Sequence, residues 1–140
     1  MTRVFDRLYL GDREDAEMLT LKNPWHISTV ISLCQKTLEH RNPEIRYVHL
    51  PLVHGIPVPG VQLLSLLGAI ETHIATGRVL VHCQTGVSRA PAVVAAYLDR
   101  VGYLSFADSL LFLRHLRGEV RPHPLLIASI RQHLGVSDRA

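Results

Sequence analysis

One short stretch of this chain carries residue types suited to chemistry: His82-Cys83-Gln84-Thr85-Gly86-Val87-Ser88-Arg89. It follows the apolar run Val79-Leu80-Val81 and precedes the Ala-rich segment from Ala90 to Ala96. That order predicts a strand, a tight loop and a helix N-terminus. Backbone N–H groups at such a turn form an anion-binding nest, and the helix dipole adds to it. Nest and guanidinium both favour negative charge, so a thiol at the loop mouth is expected in its thiolate form. Thiolate, anion hole and Arg89 together are equipped to attack a phosphate ester.

The remaining elements must hold that loop in place. A β-type segment within Val4 to Leu10 ends at Gly11, and Asp12 and Asp15 suit the first turn of a short helix reaching about Leu21. Asn23-Pro24 stops it. Thr29 to Cys34 is β-branched and apolar, so a buried strand is expected, and Arg46 to Leu52 alternates like another. Val53 to Gly60, with Gly55, Pro57, Pro59 and Gly60, reads as loop. Leu64, Leu67, Ile70 and Ile74 recur at helical spacing over Val61 to Thr76, and Gly77 ends that helix.

Arg78 to His82 is the strand before the loop, and Ser88 to Val101 is a central apolar helix. Ser105 and Asp108 resemble a capping pair for a helix through Phe106, Leu110, Leu113 and Leu116. Glu119 to Pro124 is a linker, and Leu125 to Leu134 a last helix with Leu126, Ile130 and Leu134 on one face. Ser137 to Ala140 reads as a frayed tail. The expected fold is α/β, a central mixed, mainly parallel sheet flanked by helices, forming a single domain over residues 1–140. The loop falls at the C-terminal end of a buried strand, where open α/β sheets place ligands.

Composition narrows the class. With 140 residues, 47% apolar and 19% charged, the chain suits one hydrophobic core. No apolar run approaches the ~20 residues of a membrane span, and the N-terminus lacks the apolar stretch of a signal peptide. Two cysteines, Cys34 and Cys83, fit a reducing compartment, so the expected location is the cytoplasm. A net charge of +3, with basic residues scattered, argues against nucleic acid and suits an anionic substrate.

His82-Cys83-Gln84-Thr85-Gly86-Val87-Ser88-Arg89 resembles the His-Cys-x-x-Gly-x-x-Arg signature of cysteine-dependent protein phosphatases, and the Ser88-Arg89 ending resembles the dual-specificity branch. Leu8 to Asp12, Thr29 to Leu33 and Tyr47 to Leu52 are similar to segments that family places likewise. The resemblance implies Cys83 as nucleophile, forming a phosphocysteine, and Arg89 as a bidentate phosphoryl clamp. It implies the N–H groups of Gln84, Thr85, Gly86, Val87, Ser88 and Arg89 as the phosphate cradle. Ser88 would stabilise Cys83 as leaving group, and His82 would support the loop and help tune the thiolate. No metal or cofactor is implied. Gln84 and Thr85 are neutral, which disfavours a phosphoinositide substrate. The implied partner is a phosphorylated protein or a small aryl phosphate, handled by a monomer away from membranes.

One position departs from the family pattern. A general-acid Asp is expected after a Leu-Pro-Leu-x context, but Leu50-Pro51-Leu52-Val53 is followed by His54. No Asp or Glu lies between Glu44 and Glu71, so the acid is either His54 or missing. A protonated imidazole can donate to a leaving oxygen. Loss of the acid penalises alkyl leaving groups most, so phosphotyrosine and aryl esters are expected to be favoured over phosphoserine. A phosphate-binding module with little turnover is the alternative. A sulfurtransferase or an arsenate reductase fits the spacing less well. Cys34 reads as a core cysteine, with a protective disulfide to Cys83 as the other reading. Arg114, Arg117 and Arg121 read as a solvated face and linker, with a grip on acidic substrate as the sharper reading.

Overall fold

The computed structural model describes residues 1–135; the tail from Ser137 to Ala140 lies outside the described residues. Five strands form one sheet in the order β1-β2-β5-β3-β4. These are β1 (Thr2–Phe5), β2 (Leu8–Gly11), β3 (Ile27–Ser32), β4 (Arg46–His49) and β5 (Arg78–His82). Only the β1–β2 pair is antiparallel, which makes the sheet mixed and mainly parallel. The helices are α1 (Arg13–Met18), α2 (Gly60–Ile74), α3 (Arg89–Arg100), α4 (Phe106–Leu116) and α5 (Pro124–Leu134).

Alternation along the central strands sorts side chains to two faces. Leu8, Leu10, Ile31, Val79 and Val81 pack with α2, α3, α4 and α5 in the larger core. Tyr9, Val30, Ile27 and Leu80 point the other way, onto Ala16 and Leu19. With both faces covered, the middles of these strands are apolar, Val30-Ile31 in β3 and Val79-Leu80-Val81 in β5. Each such fully buried aliphatic contributes about 1.5–3 kcal/mol relative to exposure. The helix after the loop, α3, is buried on every residue from Ala90 to Leu98, so it is the spine against which α2, α4 and α5 pack.

Several boundaries differ from the sequence reading. The antiparallel edge strand β1 begins at Thr2, before the segment expected to be β-type. The first helix stops at Met18 rather than near Leu21, after a capping box between Asp12 and Asp15. Strand β4 ends at His49, although the Leu50 and Leu52 N–H groups still donate to Ser32 O and Leu33 O beside it. The buried face of α2 carries Leu63, Leu66, Leu67 and Ile70, whereas Leu64 is exposed. Leu125 and Leu116 also face solvent, while Leu126 and Ile130 enter the core. At Ser105 the expected cap forms: its side chain accepts from the Asp108 N–H.

Candidate active site

The loop Cys83 to Ser88 leaves the C-terminal end of β5, the central strand, and runs straight into α3. Cys83 is buried, and its Sγ receives the Ala90 N–H at 3.4 Å from the first turn of α3. Among the described residues, none of the six backbone N–H groups from Gln84 to Arg89 donates to a protein acceptor. Donors without a protein acceptor in a loop open to solvent are available to an anion. A loop held open with its donors uncommitted is an anion cradle at a helix N-terminus.

Arg89 is fixed by its Nη1, which donates to Leu52 O at 3.1 Å and Leu33 O at 3.4 Å. Its Nε and Nη2 have no hydrogen-bond partner among the described residues. One edge of the guanidinium is thus anchored to the ends of two loops, and the other is available to an oxyanion.

Gly86 shapes the loop. Its φ of 71° lies in the left-handed region, and a Cβ there would lie 3.0 Å from Gly11 O and 2.8 Å from Arg117 Nη2. Backbone conformation and a fixed neighbouring carbonyl both demand glycine. Gly86→Ala is expected to lower stability by about 1–3 kcal/mol and kcat/KM with it, read from thermal unfolding and an aryl-phosphate assay.

His82 sits under the loop, fully buried. Its ring lies 2.6 Å from Ser32 Oγ across the β3–β5 register, and its Nδ1 lies 3.2 Å from Cys83 O. Burial drives the imidazole down to about 4, against the opposing pull of the Cys83 carbonyl. The folded protein therefore keeps His82 neutral where the unfolded chain, near 6.5, takes up a proton. Between those pH values the unfolded state binds more protons, so stability falls as pH drops. The loss is about 3 kcal/mol on going from above pH 6.5 to pH 4. Urea midpoints at pH 7 and pH 4.5 test this, with the gap expected to shrink in His82→Asn.

Cys34 is a buried free thiol, 3.9 Å from His82 Nδ1. Burial pushes its thiol up, outweighing Arg13 and Arg89. Cys83 is also free.

His54 lies in the exposed loop between β4 and α2. It lines a surface cleft of about 240 Å³ together with Thr85, Val87, Ser88, Arg121 and His123. Its ring meets the His123 ring edge-on, at 5.9 Å between centroids. Ser88 is buried, heads α3 as its N-cap residue, and makes no capping bond; its Oγ instead accepts the His123 N–H at 2.9 Å. The sequence reading did not single out His123. A signal was present: Pro122 and Pro124 flank it, so it is the one residue of that tripeptide with an N–H. No group of three or more His, Cys, Asp or Glu among the described residues could hold a metal ion. None of the described helices is long and apolar enough to cross a membrane.

A mainly parallel sheet whose central strand ends in a thiol-bearing anion loop defines the class of cysteine-dependent phosphatase-like proteins. The family model described as "Dual specificity phosphatase, catalytic domain" matches residues 8–134, and the chain belongs to that family. Dual specificity protein phosphatase 18 of Bos taurus is 27% identical over 128 residues, covering 88% of this chain and 66% of that protein. The chain thus spans about two thirds of that relative's length. Among solved structures, DUSP15 is 29% identical with a TM-score of 0.82, covering 96% of this chain and 84% of that one. Human DUSP28, at 21% identity, shares the fold over the full length of both chains with a TM-score of 0.84.

Proposed function

We propose that the chain hydrolyses phosphate monoesters through a phosphocysteine on Cys83, with phosphotyrosine-type esters favoured over phosphoserine and phosphothreonine. The observation that carries this reading is the set of six uncommitted N–H groups between a buried thiol and the anchored Arg89. The phosphoryl oxygens take those N–H groups and the free edge of Arg89, which stabilise charge that builds on them during transfer. The Cys83 sulfur bonds to phosphorus as the ester P–O bond breaks, and the leaving oxygen takes a proton, with His54 as donor. Water then attacks the phosphocysteine. Its oxygen bonds to phosphorus, the S–P bond breaks with the electron pair returning to sulfur, and the water proton goes to His54. Arg89 and the cradle hold the oxygens through both steps. No metal or cofactor enters.

The substrate is a phosphorylated protein or a small aryl phosphate. The chain acts as a monomeric single domain over residues 1–140 in the cytoplasm, where Cys34 and Cys83 stay reduced. The lack of any carboxylate between Glu44 and Glu71 favours one other reading, a phosphate-binding pseudophosphatase with little turnover. Turnover of an aryl phosphate that disappears in Cys83→Ser decides between them.

A further inference from the structure

We propose that Arg121 determines specificity: its guanidinium reads a carboxylate of the substrate polypeptide, next to the phosphorylated residue and on one side of it. The inference rests on the phosphatase reading above and deepens it to a substrate class, a phosphotyrosine with Asp or Glu on one flank.

Three arginines near the α4–α5 linker could grip an acidic substrate, and the structure separates them. Arg117 is largely buried; its Nη1 donates to Thr2 Oγ1 at 3.2 Å, and its Nη2 pairs with Glu119 at 3.3 Å. Arg114 turns its Nε onto Val120 O at 3.3 Å. Arg121 is exposed, and among the described residues its side chain makes no hydrogen bond and no ion pair. Its backbone is nonetheless fixed. The Arg121 N–H donates to Val87 O at 2.8 Å, and the proline that follows restricts its dihedrals. A free guanidinium thus rises from a base tied to the phosphate loop.

The cleft of about 240 Å³ that Arg121 lines is also lined by His54 and Ser88. In the proposed transfer His54 protonates the leaving oxygen, so the polypeptide bonded to that oxygen lies over this cleft, beside Arg121. Val87, Pro122 and Pro124 give the cleft apolar walls, where water competes less with an ion pair. The guanidinium fork matches the two oxygens of a carboxylate, and no Asp or Glu lines the cleft to take it first. The other flank of Thr85 is different. That second cleft is lined by Asp12, Arg13, Glu14, Glu17, Gln84 and Thr85, and its one arginine is already held by Lys36 O, Thr37 O and Glu17. An acidic side chain is therefore favoured on one flank of the phosphotyrosine and unassisted on the other.

Three phosphotyrosine peptides provide the test: one with Asn on both flanks, one with Asp in place of the Asn before the phosphotyrosine, and one with Asp in place of the Asn after it. Phosphate release gives kcat/KM. The wild type is expected to favour one Asp peptide over the Asn peptide about fivefold, through KM, at the upper end for an exposed ion pair. The other Asp peptide is expected within about twofold of the Asn peptide, and the preference to shrink at high salt. R121Q keeps the backbone bond to Val87 and is expected to lose the preference; R121E is expected to reverse it, and R121K, with the charge but not the fork, to fall between. R46Q removes the same unit charge from the start of β4, in register with Thr29 at the far end of the sheet, and is expected to keep the wild-type ratio.

Equal rates on all three peptides overturn the proposal, as does an equal gain from Asp on both flanks or a gain that survives R121E. A gain lost equally in R46Q belongs to net charge and overturns it too. The same peptides, fluorescently labelled, are titrated onto Cys83→Ser, where the Kd ratio is expected to repeat the fivefold gain. A wild-type chain that turns over none of the peptides overturns the phosphatase reading, and the Kd ratio then decides this inference by itself. Normal turnover with no preference among the peptides overturns this inference alone.

Discussion

Cys83→Ser is expected to abolish turnover of an aryl phosphate, by a factor on the order of 10⁴ or more, and to leave oxyanion binding intact. The two outcomes come from different atoms. Binding draws on the N–H groups of Gln84 to Arg89 and on the free edge of Arg89, which is held by Leu33 O and Leu52 O and not by the thiol. The Cys83 sulfur makes one protein contact in the hydrogen-bond network, with the Ala90 N–H, and a serine oxygen can occupy that space. Chemistry, in contrast, needs the sulfur nucleophile, for which a serine hydroxyl is a poor substitute. Calorimetric titration with tungstate alongside steady-state kinetics measures both. Activity retained in Cys83→Ser would show that the thiol is not the nucleophile. Oxyanion binding with no turnover in the wild type would establish the pseudophosphatase reading.

The thiol-and-arginine loop of the candidate site was legible in the sequence because it is local. A β-branched run, a thiol, a left-handed glycine and an arginine lie within twelve residues, and each constrains its neighbours by chain connectivity. Sheet order was legible only as a class, since β1 is an antiparallel edge of four residues whose pattern is too short to assign. The α2 face was read wrongly at Leu64 alone, because Leu63, Leu64, Leu66 and Leu67 offer two overlapping helical stripes. Only the tertiary partner on the sheet turns Leu63 and Leu66 inward beside Leu67 and Ile70 and leaves Leu64 outside. The linker's contact with the loop was not legible for a different reason. Arg121 and His123 reach the loop through backbone N–H groups, which nearly every residue carries, so side-chain type does not reveal these contacts. The flanking prolines are the only trace.

His54→Ala is expected to slow alkyl phosphate hydrolysis about 100- to 10,000-fold and aryl phosphate hydrolysis far less, while His54→Asp restores or raises both. An alkoxide leaves poorly without a proton, whereas a phenoxide is already a tolerable leaving group, so the split between substrates reports proton donation and not binding. Position supports the assignment: His54 shares a cleft with Ser88, Val87 and Thr85 at the rim of the loop, on a segment whose exposure leaves the ring free to meet a leaving group. The His123 ring, edge-on at 5.9 Å, is the second imidazole there, but its Nδ1 is engaged as an acceptor in the α5 cap. It can take a proton on that nitrogen only by breaking the cap, so His54 is the better donor of the two. Rate–pH profiles on both ester types for the three chains provide the measurement. Equal rates for wild type and His54→Ala on both esters would remove His54 from the mechanism. An Asp at position 54 that restores the alkyl rate would show that the loop already places its residue within reach of the leaving oxygen, with imidazole doing there what a carboxylic acid can also do.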